Sequence, residues 1–139
     1  MSKKINHDEV ERIVRNLLSA KGYVLSPPKK NGQTGADIVA QKEGSTCIIE
    51  IIGFESNPPT RSRDFYEAFF RAISRDTGNV TDTLTIALPK RFVIGMPQRK
   101  RQYPLAWGKL GSVFPNLRLW YVDTEKETIE EVSWTAPYK

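Results

Sequence analysis

Residues 35–53 read GADIVAQKEGSTCIIEIIG, and two acids within this stretch decide how the chain is read. Ile48, Ile49, Ile51 and Ile52 are β-branched and fall on both faces of an extended segment, which predicts a central strand over 46–54. Residues 36–41 predict a partner strand, and Lys42-Glu43-Gly44-Ser45 the turn that joins the two as a hairpin. Glu50 interrupts the apolar run, where an ionised carboxylate is costly unless a cation or several donors compensate it. Asp37 similarly opens the apolar segment Ile38-Val39-Ala40. The hairpin makes the two strands neighbours, so the acids are expected to meet on one sheet face. Two carboxylates converging in a poorly solvated place repel each other, and a hard divalent cation such as Mg²⁺ removes that conflict. The plainer alternatives are a strand-start aspartate bonded to backbone and a glutamate held by an arginine.

Upstream, Val10, Ile13, Val14, Leu17 and Leu18 recur at helical spacing, predicting a helix over 7–21. Asn6 is placed to cap it with Glu9 as reciprocal partner, and Gly22 falls where a left-handed C-cap belongs. His7, beside the cap, is expected to be exposed and idle. A short strand is expected over 23–25 and a loop over 26–35. Downstream, a loop over 55–62 leads to a helix over 63–75 with Phe65, Phe69, Ala72 and Ile73 as its buried stripe. A strand over 83–88, an irregular segment over 89–97 and a helical stretch over 98–110 broken near Pro104 follow. A strand over 117–122 and an edge strand over 129–134 complete the chain. Trp107 and Trp120 are expected in the core, and Trp134 at an edge or a dimer contact. This order predicts one α/β domain over 1–139, a mixed central sheet flanked by helices.

The 139 residues suffice for one core without disulfide staples. Cys47 is the single cysteine, which excludes a disulfide framework or a cysteine-rich zinc site within the chain and fits a reducing compartment. The polar N-terminus has no apolar segment after it, and no run is long enough to cross a bilayer, so the expected location is the cytoplasm without membrane association. The net charge of +5 favours polyanionic partners.

The stretch from Glu11 through Tyr23 resembles the first helix of archaeal Holliday junction resolvases and related PD-(D/E)xK nucleases. Gly35-Ala36-Asp37-Ile38-Val39-Ala40 is similar to their metal-binding aspartate strand, and Ile48-Ile49-Glu50-Ile51-Ile52-Gly53 to their (D/E)xK strand. The resemblance covers roughly residues 7–90 through short, degenerate motifs. It implies a restriction-endonuclease-like αβββαβ core and Mg²⁺- or Mn²⁺-dependent hydrolysis of DNA phosphodiesters. It further implies Asp37, Glu50 and the carbonyl of Ile51 as metal ligands, with Glu11 as a first-helix acid near the metal. Glu11 lies at the border of the apolar stripe, where a solvated helix face is the competing explanation.

The pattern breaks at Ile52, where the family keeps a lysine that shares a strand face with the glutamate and aims at the same phosphate. Three explanations stand. A cation from elsewhere, Arg71 or one of Lys29 and Lys30, takes the lysine's place; the fold binds nucleic acid or a protein partner without cutting; or the motifs coincide by chance. Lys90-Arg91 and Arg99-Lys100-Arg101 flank a segment with Phe92, Tyr103 and Trp107, and with Arg61 and Arg63 they form a basic, aromatic set suited to phosphates and bases. The competing explanation is a solvated basic loop. DNA is the expected partner, and a homodimer stays open.

Overall fold

The structure, a computed structural model, describes residues 4–136; Met1–Lys3, part of the polar N-terminal run, lie outside them. Helix α1 (His7–Ala20) is followed by β1 (Val24–Leu25), β2 (Ile38–Lys42) and β3 (Ser45–Ile51). Then come α2 (Pro58–Ser74), β4 (Thr83–Pro89), a 3₁₀ segment (Lys90–Gly95), α3 (Met96–Gln102), α4 (Pro104–Val113), β5 (Leu117–Asp123) and β6 (Thr128–Ser133). The six strands lie side by side in chain order. The central β3, β4 and β5 are parallel, and the outer pairs β1–β2, β2–β3 and β5–β6 are antiparallel. Parallel neighbours need long crossovers; α2 supplies the first, and the 3₁₀ segment with α3 and α4 the second.

Strand alternation sorts the core into two layers. Ile38, Ile49, Ile51, Trp120 and Val122 pack against Val10, Ile13, Val14 and Leu18 of α1. On the other face Ile48, Ile52, Leu84, Ile86, Leu119 and their neighbours pack against Phe65, Ala68 and Ala72 of α2 and against Trp107 of α4. The result is the mixed α/β, restriction-endonuclease-like architecture that the sequence implied, with β3 central as expected.

Local chemistry accounts for the boundaries. α1 ends in a Schellman motif: Gly22 at φ 90° donates to the Ser19 carbonyl, and Tyr23 donates to that of Leu18. Asn6 does occupy the N-cap, but its side chain makes no capping bond. α2 begins five residues before the expected start. The Asn57 side chain accepts from the Thr60 amide, while Pro58 and Pro59 fill first-turn positions that need no amide donor. Arg61 and Arg63 therefore belong to this helix instead of preceding it. Trp134 is not at a dimer contact: it is 3% exposed, stacked on Trp107 at 4.0 Å, and each indole N–H donates to the other residue's carbonyl. Its aromatic bulk, just past β6, closes the end of the α2-side layer. No helix among the described residues is long and apolar enough to cross a membrane.

Candidate functional site

The site begins with a backbone contact. The extended segment before α1 pairs with the end of β3, Ile5 and Phe54 exchanging both amide–carbonyl bonds at 2.9 and 2.7 Å. Gly53 makes this approach possible, because a Cβ there would collide with the Ile5 carbonyl and approach the His7 amide within 2.8 Å. α1 is thereby launched over the C-terminal end of β3, with His7 as its first residue. Glu11 and Arg15 follow at spacings of four, one turn apart on the same helix face.

Asp37 enters from the start of β2. Its Oδ2 accepts from the Ile51 amide at 2.8 Å and lies 3.4 Å from His7 Nε2, while Lys29 Nζ stands 3.2 Å from Oδ1. His7 Nδ1 is 3.8 Å from Glu11 Oε1. Arg15 ties the arrangement together: its Nε donates to Glu11 at 2.8 Å, and its terminal nitrogens donate to the carbonyls of Ser26 and Asp37 at 2.7 and 3.1 Å. His7, Glu11 and Asp37 each present a ligand atom within 4.8 Å of the other two, at a cleft also lined by Lys29 and Lys30. Burial disfavours an ionised Asp37, but the His7 and Ile51 hydrogen bonds, with help from Lys29, outweigh it and hold the carboxyl down at about 2. The hydrogen bond to Asp37 raises the His7 pKa against the opposing effect of burial.

Glu50 has a different setting. The β2–β3 ladder ends at the pair Ile38–Ile49, one residue short of Asp37 and Glu50, and the charge of Asp37 is felt at Glu50. Yet the partners of the two acids come from helices on opposite faces. Glu50 is 2% exposed, with Arg75 Nε at 3.3 Å and Arg71 Nε at 3.7 Å, both from α2. Burial raises its pKa, the charge of Asp37 adds to that, and the two arginines oppose it. Ile52 is 4% exposed in the α2-side core, so that position holds packing and no cation.

Of the cations considered for the missing lysine, Lys29 reaches Asp37, steadied by the Gly35 carbonyl at 2.9 Å, and Arg71 reaches Glu50. Lys30 lines the cleft from an exposed position. The carbonyl of Ile51 faces the side on which its amide meets Asp37, since an extended residue directs both groups the same way. The remaining basic residues are dispersed. Arg63 is exposed on α2, Lys90 lies 3.9 Å from Asp123, and Arg101 is exposed on α3, whereas Lys100 donates to the Ala136 carbonyl. Arg61, Arg91 and Arg99 converge elsewhere, on Phe54 and Phe92. Phe92 and Trp107 are core residues, unavailable for stacking on bases.

Three participants were not singled out from sequence: His7 as a partner of Asp37, Arg15 and Arg75. His7 corrects the expectation of an idle residue. The signal was present as spacing, since 7, 11 and 15 share one helix face and 71 and 75 another.

The fold defines a restriction-endonuclease-like domain with an acidic, histidine-bearing cluster at one end of its sheet. Two crystal structures are similar to it in fold. One is an XisH family protein from Nostoc punctiforme, with a TM-score of 0.53 and 18% identity, covering 88% of this chain and 97% of that one. The other is an fdxN element excision controlling factor protein from Anabaena variabilis, with a TM-score of 0.52 and 18% identity, covering 88% and 96%. No family model and no curated protein matches the chain.

Proposed function

We propose that this protein is a divalent-metal-dependent DNA endonuclease whose metal site is His7, Glu11 and Asp37, with the Ile51 carbonyl alongside. The observation that carries this is the convergence of an imidazole and two carboxylates within 4.8 Å at an open cleft bordered by lysines. Two carboxylates suit Mg²⁺ or Mn²⁺, and the imidazole shifts the preference toward Mn²⁺. His7, Glu11 and Asp37 would hold the cation, which would supply Lewis acidity toward a phosphoryl oxygen and toward an attacking water. Arg15 fixes the Glu11 carboxylate and the Asp37 backbone, the positioning that outer-shell partners give metal ligands. Lys29 stands in for the lysine absent at position 52, placing an ammonium beside Asp37, where developing phosphoryl charge is stabilised. Glu50 serves in this reading as the buried anchor of α2 through Arg71 and Arg75. One structural neighbour is named as an excision controlling factor, which supports a DNA substrate met during excision of an element.

The experiment is cleavage of plasmid, nicked and branched DNA with Mg²⁺ and with Mn²⁺, comparing the wild-type chain with Asp37→Ala and His7→Ala. Cleavage that depends on metal and is lost in both variants is expected. Equal activity in wild type and Asp37→Ala refutes the proposal. A second reading rests on Ile52 and on the arginine pairing of Glu50: a nuclease fold that binds nucleic acid or a protein partner without turnover. It predicts salt-dependent DNA binding and no cleavage with either metal.

A further inference from the structure

Three arginines from different elements meet at one cleft on the side of the sheet away from α1. Arg61 comes from α2, Arg91 from the 3₁₀ segment and Arg99 from α3, and the cleft floor is Phe54 and Phe92, packed edge to face at 5.1 Å. The guanidinium carbons of Arg61 and Arg91 lie 4.3 and 5.3 Å from the Phe54 ring centroid; that of Arg99 lies 5.4 Å from Phe65 and 5.6 Å from Phe92. The rings hold the cations by their faces, and the N–H groups lie along the edges of the guanidinium planes.

Those edges are short of acceptors. Among the described residues none of the three arginines has a carboxylate partner, and the Nε groups of Arg61 and Arg99 are buried without any hydrogen bond. The contacts they do make are single neutral ones: Arg99 donates to the Ser62 hydroxyl at 3.2 Å and Arg61 to the Ser56 carbonyl at 3.4 Å. Burial lowers the Arg99 pKa, with Arg61 adding to the effect and Tyr66 and Tyr121 opposing it. Three guanidiniums lining one cleft repel one another, and an anion supplying several oxygens offsets that repulsion while accepting from the N–H groups that reach the cleft. Gly95 belongs to the same construction: a Cβ there would stand 2.6 Å from Arg99 Nη1, so the glycine leaves room for the guanidinium.

From this arrangement we infer that Arg61, Arg91 and Arg99 form a pocket for a single phosphomonoester. Size sets the first limit, because the cleft encloses about 180 Å³, less than the roughly 300–1,000 Å³ of sites for whole small molecules. Charge sets the second. A phosphomonoester carries about two negative charges at neutral pH and three free oxygens, whereas a phosphodiester inside a strand carries one charge and two free oxygens. Three guanidiniums match the former. The group can come from a free phosphate compound or from the 5′ end of a nucleic-acid strand; the strand-end source rests on the DNA reading above, while the pocket itself does not.

The test is titration of the full chain with inorganic phosphate, methyl phosphate and dimethyl phosphate, read by calorimetry and by thermal stabilisation. It is done in the wild type, in Arg99→Gln, in Gly95→Ala and in Asp37→Ala. Methyl phosphate is expected to bind the wild type and Asp37→Ala alike, and roughly ten- to a hundredfold more weakly to Arg99→Gln and Gly95→Ala. Dimethyl phosphate is expected to bind the wild type at least about tenfold more weakly than methyl phosphate. Gly95→Ala keeps every charge and sits at φ −91°, so it decides the matter if Arg99→Gln fails to fold. A parallel arm compares one oligonucleotide with a 5′-phosphate and with a 5′-hydroxyl. A preference for the phosphorylated strand that Gly95→Ala removes identifies a strand end, and equal binding of the two strands with methyl phosphate binding retained identifies a free phosphate compound. Absence of methyl phosphate binding, equal binding of the dimethyl ester, or indifference to both Arg99→Gln and Gly95→Ala overturns the pocket. Loss of cleavage in Asp37→Ala with phosphate binding intact separates this result from the fate of the metal site.

Discussion

Asp37 and Glu50 lie one residue past the last β2–β3 pair, Ile38–Ile49, yet their surroundings make them different chemical objects. Asp37 is met by an imidazole, a backbone amide and one lysine, and stays ionised far into acid, at about 2. Glu50 is sealed in the sheet, its pKa raised by burial, and its charge is answered by two arginines. Asp37 borders an open cleft, whereas Glu50 is buried and its charge is met by two guanidiniums. Two acids that the motif treats alike are thus set apart by the partners that the neighbouring helices bring.

The strongest way to break this contrast is to remove each acid and measure Mn²⁺ binding by calorimetry. Asp37→Ala is expected to weaken binding by more than about 100-fold, beyond the range seen for outer-shell partners. Glu50→Gln is expected to change it by less than about threefold, as a charge outside the ligand set does. A large loss in Glu50→Gln would restore Glu50 to the metal site and end the contrast. Arg15→Ala comes next, with an expected loss of roughly 10- to 100-fold in metal affinity, because Glu11 and the Asp37 backbone lose their common clamp.

Smaller effects separate the two acids in stability. Replacing Glu50 by Met is expected to leave denaturant stability within about 1 kcal/mol of wild type or to increase it, since a buried pair often gives way to an apolar side chain without loss. Arg75→Ala, which strips the nearer partner from a buried carboxylate, is expected to destabilise by about 1–3 kcal/mol. A further effect appears in acid. Asp37 is depressed from 3.8 to about 2, so its stabilisation is complete above 3.8 and lost as pH falls toward 2. The expected loss is about 1–2 kcal/mol between those limits, allowing for screening of its partners. Asp37→Asn should flatten that limb of the stability curve. His7 has the opposite sign: its raised pKa stabilises below 6.5, and the contribution disappears as pH rises through the raised value.

Much of the fold was legible because apolar pattern and turn chemistry agreed. The α1 stripe, the Gly22 cap and the β2–β3 hairpin all appear where the sequence put them. The start of α2 was misplaced because Pro58-Pro59 reads as a break, although prolines in a first turn after a capping asparagine initiate a helix as readily as they end one. Trp134 was placed outside the core because its pairing with Trp107 joins residues 27 apart in sequence through reciprocal indole bonds. The basic set read as one surface was divided, since the ends of α2, the 3₁₀ segment and α3 gather Arg61, Arg91 and Arg99 and leave Arg63 and Arg101 in solvent.

By itself the sequence determined the mixed sheet with β3 at its centre, the apolar residue at position 52, and two acids anomalous in an apolar setting. Those follow from local periodicity and from the energetic penalty of burying charge, which the chain carries in its order. The tertiary structure alone decided what each acid meets. That Ile5 pairs with Phe54 across Gly53, and so sets His7 beside Asp37, depends on a close backbone approach between segments almost fifty residues apart. Helix α2, brought against β3 by the crossover to β4, likewise delivers Arg71 and Arg75 to Glu50, a meeting of distant segments that no local pattern encodes.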